Sequence, residues 1–324
     1  MPRARKHLVC VDDTPYYHVV SRCVRRAFLC GEDAVTGKSF EHRRGWIEDR
    51  VRVLSSLFSV ELCAFAIMSN HYHLVVRLAP DEAGSWTDED VLRRWTTLFR
   101  GPLLVQRFCD GDDLSAVETE TLQAITAIYR KRLASLSWFM KCLNEPIARQ
   151  ANAEDRCTGH FWEARFRSQA LRTEQALMAA MAYVDLNPVR ARIARTPEGS
   201  DYTSVQARIK HGDSTNPVKD TVARLLIRNE IRRAPPSLRP LAPFADAASK
   251  LDTPALSLPM RWTDYLQLVD TTGRIAVLGK RGCIDPALEP VLNRLGLTTK
   301  QWQSASTQFQ EHFRNGELRI AQSG

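Results

Sequence analysis

Two apolar runs, Glu61 to Met68 and His71 to Leu78, stand only Ser69-Asn70 apart, and that spacing constrains the fold more than any other feature of the chain. Runs of this length, rich in Val, Leu, Ile and Phe and bounded by turn residues, read as two strands joined by a short connection. Tyr17 to Arg22 reads as an earlier strand, and Trp46 to Phe58 as a helix with Ile47, Val51, Leu54 and Phe58 on one face. A strand, a helix, a strand pair and later helices fit an α+β layer fold in which helices cover an antiparallel sheet.

The second strand of the pair begins His71-Tyr72-His73. Side chains alternate along a strand, so the two imidazoles point the same way and can share a metal ion, while Tyr72 points to the opposite face. Two neutral histidines leave coordination positions open, which suits a catalytic ion better than a closed structural zinc site. A chain with eight histidines also produces such a pair by chance. A half-buried strand end with its imidazoles bonded to backbone fits the tripeptide as well, so other segments have to decide.

One such segment runs from Thr173 to Arg190. Its Ala, Leu and Met content favours helix, Thr173 and Glu174 suit an N-cap with a first-turn acid, and Pro188 sets the expected end near Asn187. Tyr183 and Asn187, four apart, would then share a helical face, presenting a hydroxyl nucleophile beside a neutral oxygen ligand. The same residues also suit a core aromatic followed by the cap of a new helix at Pro188-Val189-Arg190.

Taken together, four segments resemble a known family. Met68-Ser69-Asn70-His71-Tyr72-His73-Leu74-Val75-Val76 is similar to the HUH motif of the single-tyrosine transposases, and Tyr183-Val184-Asp185-Leu186-Asn187-Pro188-Val189-Arg190 to their tyrosine helix. Thr158-Gly159-His160-Phe161-Trp162-Glu163-Ala164-Arg165-Phe166 resembles the Gly-x-x-Trp-Glu-x-Arg-Phe segment before it, and Tyr16-Tyr17-His18-Val19-Val20-Ser21-Arg22 the family's first strand. The branch most resembled is that of the REP-associated tyrosine transposases, over about residues 14 to 210. Ser69 stands where that motif usually has proline, and Tyr72 where it has a hydrophobic residue.

The resemblance implies an RRM-like, ferredoxin-like palm in which His71, His73 and Asn187 bind a divalent ion, Mg2+ or Mn2+, and Tyr183 is the nucleophile. It implies cleavage and rejoining of single-stranded DNA that folds as a hairpin, such as a palindromic repeat. Tyr183 attacks the scissile phosphate, the ion neutralises developing charge, and a 5′-phosphotyrosine link with a free 3′-hydroxyl results. The link conserves the phosphodiester energy, so rejoining needs no ATP. No Gly-x-x-x-x-Gly-Lys-Ser/Thr run occurs in the chain. Asp185, two residues from Tyr183, faces elsewhere on a helix and is not assigned as the base.

Charge agrees with a polyanionic partner. Lys+Arg number 45 against 37 Asp+Glu, a net of +8. Because residues 81 to 120 hold ten acids and four arginines, the basic surface is concentrated outside that segment. Candidate phosphate contacts are Arg22, Arg25 and Arg26, then Arg130, Lys131 and Arg132, then Arg165 and Arg167 beside Phe161, Trp162 and Phe166. Guanidinium groups with exposed aromatic faces make a single-strand groove, although Trp162 and Phe166, four apart, equally suit a core.

The expected organisation is a catalytic domain over 1–210 with an acidic insertion at about 80–128, a linker over 211–245 that is proline-rich from Arg232 to Pro243, and a small helical module over 246–324. Leu133 to Ala151 reads as an amphipathic helix kinked or divided by Pro146. The last module has helical patterns near Trp262 to Val269, Leu288 to Leu295 and Thr299 to Phe313, with a stop at Gly296. Eight cysteines without a Cys-x-x-Cys pair read as reduced core thiols. With no apolar run near the roughly 18 residues of a span, and no signal-peptide core after Met1-Pro2-Arg3, a cytoplasmic, nucleoid-associated monomer or homodimer is expected. A non-catalytic hairpin-binding regulator and an RNA-binding module are the other function classes compatible with these residues.

Overall fold

The computed structural model describes residues 9–24, 29–33, 37–212, 216–248, 257–277 and 279–295. Thr299 to Phe313, Gly296, Arg25 and Arg26 lie outside them. The described chain forms two compact units, Met1–Val184 with Tyr202–Ala242, and Asp185–Asp201 with Pro243–Gly324.

The first unit is built on a four-stranded sheet of β1 (Tyr16–Arg22), β2 (Val60–Ile67), β3 (His71–Leu78) and β4 (Arg167–Ala170), in the order β2-β3-β1-β4. Every pairing is antiparallel, as the short β2–β3 connection requires. Tyr17, Val19, Phe65, Ile67, Tyr72, Leu74 and Val76 face one way and form the core with Ile47, Val51 and Leu54 of α1 (His42–Leu57) and Phe139 and Leu143 of α6 (Leu136–Glu154). Phe58 and Phe139 meet edge to face at 5.6 Å. His18, Val20, His71, His73 and Val75 project from the other face, since directly paired residues point the same way.

Pro146 does not divide α6. A mid-helix proline costs about 3 kcal/mol, in part because the carbonyl four residues back loses its donor. Here that carbonyl, on Cys142, accepts 2.6 Å from the guanidinium Nε of Arg50 on α1. A charge-assisted hydrogen bond of about 1.5–3 kcal/mol offsets most of the loss.

The expected insertion is helical: α2 (Pro80–Ser85), α3 (Asp88–Leu98), α4 (Leu103–Asp110) and α5 (Ala116–Leu133). Capping boxes at Thr87/Asp90 and Ser115/Glu118 start α3 and α5. Trp95 stacks on Tyr129 at 4.2 Å and lies near Phe99 and Trp138 of α6, which joins these helices to the core shared with the sheet.

The segment 211–245, expected as a linker, instead carries α10 (Asn216–Ile227), which follows α9 (Ser204–His211). Val218, Thr221, Val222 and Leu225 are buried on one face, and Asp49 of α1 receives Arg224, Arg228 and the Thr221 hydroxyl. The buried carboxylate is matched by two guanidinium groups, so α10 is held on α1 by charge as well as by apolar area.

The helix expected to reach Asn187 stops two residues sooner. α7 (Glu174–Asp185) and α8 (Asn187–Arg190) are separate, with Leu186 between them. Proline at the second position of α8 explains the break, because it has no N–H for the carbonyl four residues back, on Val184, and its ring crowds that carbonyl. The second unit contains α8, α11 (Ala245–Ala248), α12 (Trp262–Arg274) and α13 (Val291–Arg294). Gly273 of α12 has no room for a side chain, since a Cβ there would lie 2.5 Å from Ile284 and 2.9 Å from Leu186.

No disulfide joins the described cysteines. Burial pushes the Cys30 and Cys63 thiols up to about 12 and that of Cys142 to about 11, so these three fit the expectation of core thiols. Cys283 differs, being exposed. No described helix is long and apolar enough to cross a membrane.

Candidate functional site

The β1–β3 register brings the site together. Val20 pairs with His73 and Arg22 with His71, so strand alternation places His18, Val20 and Arg22 on the histidine face. On the other side of β1, Val20 pairs with Arg167 and His18 with Gln169 of β4. Arg22 and Arg167, both exposed, therefore share the face that carries His71 and His73.

Each histidine of the pair has its Nδ1 engaged. The Nδ1 of His71 lies 2.6 Å from Asn70 Oδ1, an oxygen that only accepts, so this nitrogen carries the ring proton and Nε2 keeps its lone pair. The Nδ1 of His73 lies 2.9 Å from Nε2 of His18. The rings of His71 and His73 are 4.8 Å apart and nearly perpendicular. His73 is buried, at 5% exposure. Burial holds the His18 imidazole below its ordinary pKa, which favours the neutral ring.

Tyr183 of α7 stands over this pair. Its ring meets His73 edge to face at 5.6 Å and His18 at 6.0 Å, and the side chain is 44% exposed. An aromatic residue near the C-terminal end of a helix, this open to solvent and against two imidazoles, does not fill a core. Asn187 belongs to the second unit, at the start of α8, where it is 6% exposed. Asp185 is buried and accepts the Tyr265 hydroxyl at 2.6 Å.

Behind the histidine strand, Tyr72 turns into the core as its alternation predicts. Its hydroxyl donates to Asn144 Oδ1, whose amide donates to Ser21 Oγ at 3.0 Å, while Trp162 Nε1 donates to the Asn144 carbonyl at 2.8 Å. Asn144 of α6 thus ties β1, β3 and the Phe161-Trp162 segment into one network beneath the site. Burial raises the Tyr72 hydroxyl well above its ordinary range and keeps it a donor.

The other basic candidates divide. Arg165 is exposed beside Phe166, but Phe161 and Phe166 are buried in the core and Trp162 packs edge-on to Tyr72, so these rings are used for packing. At the end of α5, Arg130 donates to the Ala83 carbonyl at 2.8 Å and pairs with Asp88 at 2.7 Å. Arg132 lies over Trp138 and Trp95, and Lys131 is exposed. His18 is the residue that the sequence reading did not single out. Its signal was present in the alternation of His18, Val20 and Arg22, but the register that sets it against His73 was not.

Two imidazoles on one strand face, each with Nδ1 engaged, would present Nε2 to an Mg2+ or Mn2+ ion. Among the described residues no three His, Cys, Asp or Glu side chains are grouped as a metal cage. An ion held here would draw further donors from other groups.

No family model matches the sequence, and no curated protein matches it. Among solved structures, the chain is similar to a REP-associated tyrosine transposase bound to a REP hairpin, at 11% identity and a TM-score of 0.35, over 65% of this chain and 87% of that one.

Proposed function

We propose that the chain is a metal-dependent endonuclease and strand transferase of the HUH single-tyrosine type, acting on single-stranded DNA that folds as a hairpin. The observation that carries this reading is the position of Tyr183 against His73, itself paired in one strand with His71. Support also comes from the element order β1-α1-β2-β3-helices-β4 with strands arranged β2-β3-β1-β4, the arrangement of a ferredoxin-like palm.

In this reading His71 and His73 would hold Mg2+ or Mn2+ through Nε2. The ion, when bound, supplies Lewis-acid polarisation of the scissile phosphate. Tyr183 Oη attacks phosphorus, the bond from phosphorus to the 3′ oxygen breaks, and the phenol proton is lost as the leaving oxygen gains one. The products are a 5′-phosphotyrosine and a 3′-hydroxyl. Reversal by another 3′-hydroxyl completes strand transfer. Arg22 and Arg167 hold the flanking phosphates on the same sheet face.

The test is incubation of labelled hairpin DNA, taken from sequence flanking the gene, with protein and Mg2+ or Mn2+, followed by denaturing electrophoresis. A protein-linked band lost with chelator and with Tyr183→Phe supports the reading. Hairpin binding without any adduct in either metal overturns it in favour of a non-catalytic regulator.

A further inference from the structure

We infer that His18 is a positioning residue that fixes His73 in its Nδ1–H tautomer, and so keeps the Nε2 lone pair of His73 available to a cation. The direction of the shared proton rests on the metal-dependent reading above, while the contact between the two rings is independent of it.

The two rings are inclined by only 12°, their centroids are 5.2 Å apart, and His18 Nε2 is 2.9 Å from His73 Nδ1. Rings that far apart with nitrogens that close meet edge to edge in nearly one plane. That is the plane in which an imidazole N–H and an imidazole lone pair both lie, so the contact is a hydrogen bond of good geometry.

One proton occupies this bond. Whichever ring supplies it, Nδ1 of His73 is committed to His18, so only Nε2 of His73 can meet an ion. Nε2 of a neutral ring offers a lone pair only when Nδ1 carries the proton. His73 is then the donor, His18 the acceptor, and His18 carries its own proton on Nδ1. His71 has the same arrangement by a different device, with Asn70 Oδ1 as acceptor. Both histidines of the strand are thereby set in one tautomer, each by a neighbour that acts through a single atom.

His18 is not a third ligand in this account. Its Nε2 is used on His73, and the described residues contain no group of three His, Cys, Asp or Glu arranged for a metal.

The experiment uses the full chain, metal-free and labelled with 15N-histidine, at a pH where the imidazoles are neutral. Long-range 1H–15N correlation reads the tautomer of each ring directly. The wild-type protein is expected to show His73 as Nδ1–H. In His18→Leu that preference disappears and Mn2+ affinity, measured by calorimetry, falls about 10–100-fold. His18→Gln, whose amide oxygen reaches a similar position, retains the Nδ1–H tautomer and recovers most of the affinity. Thermal unfolding checks that the variants fold; if His18→Leu does not, His18→Asn, polar but too short to reach, replaces it.

Finding His73 as Nε2–H in the wild type, or an unchanged tautomer and Mn2+ affinity in His18→Leu, overturns the inference. Failure of the function reading looks different: a His73 tautomer that depends on His18, in a chain that binds no Mn2+, supports the positioning role and contradicts the metal-dependent chemistry.

Discussion

Arg22 lies directly opposite His71 on the β1–β3 ladder, and Arg167 lies opposite Val20, which itself faces His73. Two exposed guanidinium groups thus extend the histidine face across β1 to the edge strand β4.

This arrangement predicts unequal effects among the basic candidates. Arg22→Ala and Arg167→Ala should each weaken hairpin binding and lower the salt slope of the affinity by about 0.7, the value for one single-strand phosphate contact. Arg132→Ala, which loses its place over Trp138 and Trp95, should lower stability with little change in that slope. Fluorescence anisotropy across a salt series, beside urea unfolding, separates the two behaviours.

The histidine pair makes a different prediction. His71→Ala and His73→Ala should leave hairpin affinity nearly unchanged while adduct formation falls by at least about 10²-fold, because in the proposed reaction the ion would act on charge that develops in the transition state. Single-turnover rates at saturating DNA, with Mn2+ varied, read this directly. Equal loss of binding and cleavage would mean that the histidines serve DNA affinity instead.

Beneath the site, Asn144 joins Tyr72 to Ser21. Asn144→Leu should cost about 1–3 kcal/mol in urea unfolding, since the buried Tyr72 hydroxyl loses its bond to Asn144 and keeps only its contact with Ser21. Adding Tyr72→Phe should recover part of that cost, because the under-satisfied hydroxyl is then gone.

A pH dependence follows from the start of α5. Hydrogen bonds from the Ser115 backbone and hydroxyl, together with Arg107, lower the Glu118 carboxyl to about 2. A carboxylate held below its unfolded value stabilises the fold above that value, near 4.5, and the contribution is lost as pH falls towards 2. The stability difference between wild type and Glu118→Gln should therefore be largest above about pH 5 and shrink steadily below it. Thermal unfolding of both proteins across this range measures it.

Much of the first unit could be read from the sequence because its signals are local. The strand pair shows its apolar runs and two-residue connection, and Tyr72 turns inward by simple alternation. β4 could not be read: Arg167-Ser168-Gln169-Ala170 has no β-branched or aromatic residue, and its strand conformation comes from pairing with β1. The helix α10 was legible in the spacing of Val218, Thr221, Val222 and Leu225, but the nearby prolines favoured a linker reading. At the site, His71, His73 and Tyr183 were visible as motif residues. His18 was not, since strand register is a tertiary property that a single sequence does not encode locally.

The central claim is that Tyr183 forms a covalent bond to DNA, and the most direct measurement is peptide mapping of the DNA-linked protein by mass spectrometry after nuclease trimming. The account predicts a nucleotide attached through its 5′ phosphate to the peptide containing Tyr183. Attachment at another residue, or a chain that cleaves hairpin DNA without any covalent intermediate, would contradict it.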